Sequence, residues 1–196
     1  LSEWVDELDD SKIMSISLGE LIESTAAKFP ETEALVYSNQ CFEWLAKINS
    51  NYTEEQEMAA RCQHFKRWEI PRSDFPIGKK GYYQWRIGLY QYQADKAGEV
   101  LESVGYSVDF VSRVKSMISK RDLRNDANSQ LIEDVACLVF LNYHIHPFAS
   151  SKDYTEEKWI KIIQKTWGKM SDKAHKFALE INYDAFILDL IKKALA

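Results

Sequence analysis

Apolar residues recur at helical intervals along most of the chain, and no segment alternates as a half-buried strand would. From Glu31 to Ile48 the repeat runs through Leu35, Phe42, Leu45 and Ile48, and the polar turn Asn49-Ser50-Asn51 ends it. Upstream, behind an acidic lead over 1–17, Ser17 with Glu20 three residues on predicts a capped helix over Leu18 to Lys28, stopped at Phe29-Pro30. Thr53 with Gln56 is a second capping box. The helix after it puts Met58, Cys62 and Phe65 on one side, and Ala60, His64 and Trp68 on another. Pro71, Pro76, Gly78 and Gly81 mark Glu69 to Gly81 as the longest irregular stretch.

Beyond this loop, Tyr82 to Val104 predicts a long helix closed by Gly105, and Asp109 to Lys120 predicts another. Gln130 to Ile145 is nearly continuous apolar sequence, the pattern of a central helix, with Pro147 as its stop. Thr155 caps a helix through Trp167, and Tyr183 to Leu195 forms a last amphipathic segment. The expected fold is all-α, a single multi-helix domain over 1–196 without repeat or linker.

Composition agrees with helices: aromatics make up 13% of the chain, but only 7 Gly and 4 Pro supply turns. A net charge of −5 argues against nucleic acid as the main partner, since such domains are usually basic. Cys41, Cys62 and Cys137 are an odd number, far apart, and read as reduced core thiols. No run reaches the ~20 apolar residues of a membrane helix, and the start at Leu1 has no signal-peptide pattern. A cytoplasmic protein without membrane attachment is expected; a homo-oligomer and a targeting segment before Leu1 are left open.

Candidate chemistry centres on Glu133 and Asp134, carboxylates inside a core helix whose burial demands cations or donors opposite them. Arg67, Arg72 and Arg86 flank or lie in the proline-rich loop, beside Trp68, Tyr82 and Trp85. On the long helix Arg86, Leu89, Gln93, Ala97, Val100 and Val104 share a face. His64, Arg67, Arg86, Gln93 and Asp134 are therefore expected to converge, with Arg72 at the rim. Three arginines for one or two carboxylates leave positive charge for a small anionic, phosphorylated or nucleotide-like ligand.

In this reading His64 and Asp134 are the candidate catalytic groups, and Arg67, Trp68, Arg72, Tyr82, Trp85, Arg86, Gln93, Glu133, Lys165 and Lys169 bind ligand. Two alternatives stand beside it. The network can serve only to orient helices, or the chain can be a docking module for protein or RNA whose basic surface surrounds Arg113, Lys115, Lys120 and Arg121. His144 and His146, two apart, point to different faces, so no metal site is expected there. No P-loop or G-x-G-x-x-G is present, and nothing marks a nucleophile elbow.

The segments Gln63-His64-Phe65-Lys66-Arg67-Trp68-Glu69-Ile70-Pro71-Arg72, Gly81-Tyr82-Tyr83-Gln84-Trp85-Arg86, Leu131 to Leu141 and Lys165-Thr166-Trp167-Gly168-Lys169-Met170-Ser171 carry a resemblance over nearly the whole chain. They resemble domain-of-unknown-function family 4202, sometimes labelled glutamyl-tRNA-synthetase-like. Lys169-Met170-Ser171 and His144-Ile145-His146 do look like class I synthetase signatures, but the chain lacks the βαβ alternation those enzymes need. The element order is also similar to the HD superfamily of metal-dependent phosphohydrolases. That resemblance implies ligands near Tyr37, His64-Phe65 and Asp134, where Tyr37 and Phe65 replace two of them. It implies a degenerate HD-like domain that binds a phosphorylated metabolite, with an intact phosphohydrolase using a divalent metal as the alternative.

Overall fold

A computed structural model describes residues 30–196 except 124, 152 and 153. The acidic lead and the expected helix over Leu18 to Lys28 lie outside the described residues. The described chain is all-α, with no strand among the described residues. In order the helices are α1 (Pro30–Ile48), α2 (Glu54–Arg61), α3 (Lys79–Ser103), α4 (Val108–Ser119), α5 (Ala127–Val139), α6 (Ile145–Ser151), α7 (Glu156–Trp167), α8 (Asp172–Leu179) and α9 (Ala185–Leu195). Short 3-10 turns cover Arg67–Glu69 and Arg72–Asp74, and a π turn over Phe140–His144 joins α5 to α6.

Helix α5 is central, as its apolar run requires: α1, α2, α4 and α8 all pack on it. Helix α3 lies along α4, which also meets α2, while α9 packs on α7. Gly98 permits the α3–α4 approach, because a Cβ there would come within 2.8 Å of the Lys115 side chain and 3.3 Å of Val111. The α2 start forms as expected: Thr53 accepts from the Gln56 amide N–H, and Gln56 Oε1 accepts from Thr53 N–H at 3.0 Å. Gln56 also donates to Asn128 at 2.7 Å and accepts from Asn49 at 3.1 Å, so one side chain ties the end of α1 to α2 and α5.

Four sequence expectations are corrected. The buried face of α1 is Tyr37, Cys41, Trp44, Leu45 and Ile48, whereas Leu35 is exposed, because the face that meets α2 and α5 is rotated from the one inferred. The helix after Thr53 stops at Arg61 and does not reach Trp68. Gln63, buried, bends back to donate to the Ala59 carbonyl at 3.0 Å, satisfying an acceptor that the ended helix leaves over. Val100 and Val104 are exposed, and the buried line of α3 continues through Leu101 instead. Pro147 does not end the central run: it lies in the first turn of α6, directly after the π turn that joins α5 to α6.

The proline-rich loop closes on itself. Arg72 donates through Nη1 to the Phe75 carbonyl and through Nη2 to the Pro76 carbonyl, both at 2.9 Å, and Trp85 Nε1 donates to the Ile70 carbonyl at 3.0 Å. Ile70 and Phe75 thereby pack on Tyr82, Trp85 and Leu89, an apolar cluster separate from the main core. The Pro76 carbonyl presses so closely on Gly81 that any Cβ there would overlap it. Gly81→Ala is expected to cost about 3 kcal/mol by forcing backbone apart, measured as a lower urea midpoint with unchanged m-value. A variant of wild-type stability would show that the loop does not close in this way.

Candidate functional site

A layer of polar side chains lies beside the small Tyr82-Trp85-Leu89 cluster, and Glu133 of α5 is its centre, only 4% exposed. Lys120 Nζ donates to Glu133 Oε2 in a close ion pair, and Lys169 Nζ stands 3.6 Å from Oε1. Burial favours the neutral acid, but Lys120, Lys169 and Arg86 outweigh it and hold Glu133 down at about 2. The Lys120 side chain is nine-tenths buried. Burial works against its charge, and Glu133 and Tyr90 reverse the balance, so its pKa rises.

Tyr90 is shared by two cations. Lys120 Nζ lies 5.1 Å from its ring centroid and Arg86 Cζ lies 5.0 Å from it. Arg86 Nη1 also donates to the Tyr82 hydroxyl at 3.1 Å. Burial opposes the Arg86 charge, but Tyr90, Tyr82 and Glu133 raise its pKa beyond the usual arginine value. Lys120 reaches inward because it is the C-cap of α4 in the left-handed region, φ 53°, a place glycine usually takes. Lys66, also at φ 53°, sets the turn into Arg67. Among the described residues these are the two non-glycine residues with positive φ, and both adjoin members of the polar layer.

His64 stacks on Tyr37 with ring centroids 3.8 Å apart and planes at 15°. Its Nδ1 is buried without a hydrogen-bond partner. Burial, then Arg67, His144, Arg86 and Lys120, push its pKa well below the ordinary imidazole value, so the ring is neutral. The π turn brings His144 near Tyr37, ring centroids 5.9 Å apart, where its Nε2 lies 3.0 Å from Gln40 Oε1. Burial lowers His144 to about 4. Tyr37 shares a hydrogen bond with Cys41, and burial raises both groups, the thiol to about 12.

The expected convergence is thus partly met. His64, Arg67, Arg86 and Glu133 interact, and Arg67 lies 4.8 Å from the centroid of the Trp85 ring. Gln93 is wholly buried on the Arg86 side of α3, and neither of its amide atoms has a hydrogen-bond partner. Tyr82 supports Arg86, Trp85 fastens the loop, and Trp68 is half-buried on its 3-10 turn. Arg72 gives its fork to loop carbonyls, which makes it a clamp on the loop.

Asp134 faces elsewhere. Its Oδ1 accepts from Ser171 N–H at 2.8 Å and from Gln130 at 2.9 Å, and its Oδ2 accepts from the Ser171 hydroxyl at 2.6 Å. Gln130 also donates to the Lys169 carbonyl at 2.9 Å. The Lys169-Met170-Ser171 turn is therefore pinned to α5 as the start of α8, and the pinning brings Lys169 to Glu133. Lys165 is exposed; burial and the charges of Lys79, Lys169 and Lys161 lower its pKa.

Lys120 and His144 were not among the sequence candidates. Lys120, expected on an exposed basic surface, is corrected to an interior position by its left-handed cap; a lysine where glycine belongs was the available signal. Among the described residues no three His, Cys, Asp or Glu side chains converge to hold a metal ion. His64 has cations as neighbours and Asp134 is bonded to Ser171 and Gln130, so the described residues do not fit a divalent-metal shell.

Comparison with known proteins finds one family, "Domain of unknown function (DUF4202)", whose model matches residues 20–191. The chain belongs to this family. Its span holds every residue of the polar layer described above, from Tyr37 to Lys169. No curated protein and no solved structure matches the chain. No helix among the described residues is long and apolar enough to cross a membrane.

Two outcomes test the buried charges. Glu133→Gln leaves Lys120 without its counter-charge and is expected to cost about 3–5 kcal/mol in chemical denaturation; a neutral substitution would mean that the pair is solvated. Glu133, held at about 2 when folded, stabilises fully above its unfolded value and loses this as pH falls toward about 2. His64 and His144 are also depressed, so the unfolded chain protonates first and stability declines once pH drops below ~6.5, continuing to about 4 for His144. His144→Gln should flatten that limb of the midpoint-versus-pH curve; an unchanged slope would place its imidazole in water.

Proposed function

We propose that this protein binds a small phosphorylated or nucleotide-like anion at the cluster formed by Arg67, Arg86, Lys120 and Lys169. The observation that carries the reading is one of charge. Among the described residues, Lys120, Arg86 and Lys169 all act on the buried carboxylate Glu133, while the adjacent buried Asp134 is bonded to Ser171 and Gln130. Three cations around Glu133, the Lys120 side chain among them nine-tenths buried, favour an incoming anion. Guanidinium and ammonium groups held by Tyr90, Tyr82 and Glu133 are oriented before the ligand arrives, which reduces the ordering cost of binding.

Neutral His64 beside these cations can donate a hydrogen bond to a bound phosphate. The HD-like phosphohydrolase reading needs a divalent metal, and no three His, Cys, Asp or Glu side chains among the described residues converge to hold one. The docking-module reading needs a free basic surface. Arg113 instead pairs with Glu55 and Lys115 with Asp95, both at 2.8 Å, while Arg121 donates to Gln91 at 3.4 Å. These pairs disfavour that alternative.

A thermal-shift screen with orthophosphate, sugar phosphates and nucleotides provides the test. A ligand at a hundred times its Kd stabilises by about 2.7 kcal/mol, a rise of roughly 5–10 °C for a chain of this size. Lys169→Met, at a half-exposed position, should retain the fold and weaken that shift. A flat response to every anion refutes the proposal.

A further inference from the structure

A line of lysines leads outward from the polar layer. Lys161 and Lys165 stand four residues apart on α7, hence on one side of the helix and about 6 Å apart along its axis. Lys169 comes four residues later, on the turn that Asp134 and Gln130 pin to α5, and all three side chains are open to water. Lys79, exposed at the start of α3, joins them from another element: burial, then Lys79, Lys169 and Lys161, lower the Lys165 pKa. Lys169 belongs to both groups, since its Nζ also stands 3.6 Å from Glu133 Oε1 inside the layer. The packing of α7 does not require this pattern. Its buried residues are Trp159 and Ile163, and like charges four apart on a helix repel. Glu157, one turn before Lys161, offsets part of the charge at that end. Because these ammonium groups lie at the surface, a ligand can rest on them without entering the core.

We infer that the bound anion carries a chain of two or more phosphate groups: the terminal one at Lys169, on the edge of the Lys120-Glu133 pair, and the next ones along Lys165, Lys161 and Lys79. This rests on the anion-binding reading above and narrows the ligand to a polyphosphate, free or esterified. Each added phosphate brings charge to match a further ammonium group. Lysine, a compact point charge on a flexible stem, can follow such a chain without imposing a planar geometry on it. The span of Lys161 and Lys165 is comparable to that of a triphosphate chain. A nucleic-acid strand or an acidic peptide also pairs with surface lysines, but its internal groups carry one charge each. A terminal phosphate brings nearly two to the edge where Lys169 and Lys120 meet Glu133.

Titration calorimetry on the full 196-residue chain with orthophosphate, pyrophosphate, tripolyphosphate and adenosine triphosphate tests this. Affinity should rise about tenfold or more from orthophosphate to tripolyphosphate, because linked groups bind together. Adenosine triphosphate beside tripolyphosphate tells an esterified chain from a free one. Lys161→Met combined with Lys165→Met, both at exposed positions, should remove the gain and leave orthophosphate within about twofold of wild type. Lys169→Met should weaken every phosphate. Arg113→Gln combined with Lys115→Gln removes the same charge from pairs with Glu55 and Asp95 and should keep the gain. Equal affinity for orthophosphate and tripolyphosphate overturns the inference, as does a gain that survives loss of Lys161 and Lys165 or falls equally without Arg113 and Lys115. Polyglutamate that binds more tightly than tripolyphosphate through the same two lysines also overturns it, and makes the stripe a surface for acidic protein. If no phosphate binds, the anion-binding reading itself fails; if orthophosphate binds and a longer chain adds nothing, only the present inference does.

Discussion

The ion pair between Glu133 and Lys120 is the constraint around which the rest of the site is arranged. Both side chains are at least nine-tenths removed from water, and each would be strongly unfavourable there without the other. A buried pair of this kind adds little net stability compared with two well-packed apolar residues. What it does supply is location: it joins the end of α4, which carries Lys120, to Glu133 of α5. Lys169, Arg86 and Tyr90 then fall around the pair, so that three cationic side chains act on Glu133.

Irregular backbone collects near this layer. Lys120 and Lys66 take a left-handed conformation that L side chains seldom adopt, and the π turn at Phe140–His144 carries His144 toward Tyr37. The proline-rich loop, folded over the start of α3 by Arg72, Trp85 and the close approach of Pro76 to Gly81, holds Tyr82 and Arg86 from the other side. Each departure from regular geometry delivers one side chain that a straight helix would have sent into solvent or core. Regular packing of α1, α2, α4 and α5 supplies the rigid frame that keeps those departures in place.

Adjacent residues of α5 divide two tasks between them. Glu133 turns to the cations, and Asp134, about 100° further round the helix, turns to Ser171, the N-cap of α8. The lysine-methionine-serine turn therefore has a mechanical role: bonded through Asp134 and Gln130, it sets Lys169 at the edge of the interior cluster. His64, neutral and stacked on Tyr37, completes the layer.

Helix periodicity, the capping residue Thr53 and the polar turn Asn49-Ser50-Asn51 were readable along the chain because they act within one or two turns. The burial of the Glu133-Asp134 pair and the placing of Arg86 beside Tyr82 followed from the same periodicity, whereas Arg67 is buried on a 3-10 turn beyond the end of α2. Local sequence, then, determined an all-α chain with a polar cluster on its central helix. Tertiary structure decided which of two neighbouring carboxylates faces the cations, that Arg72 serves the loop, and that Lys120 points inward. Those outcomes depend on how each helix is rotated against its partners and on a left-handed turn. Rotation is set by the packing of residues far apart in sequence, which no local spacing encodes.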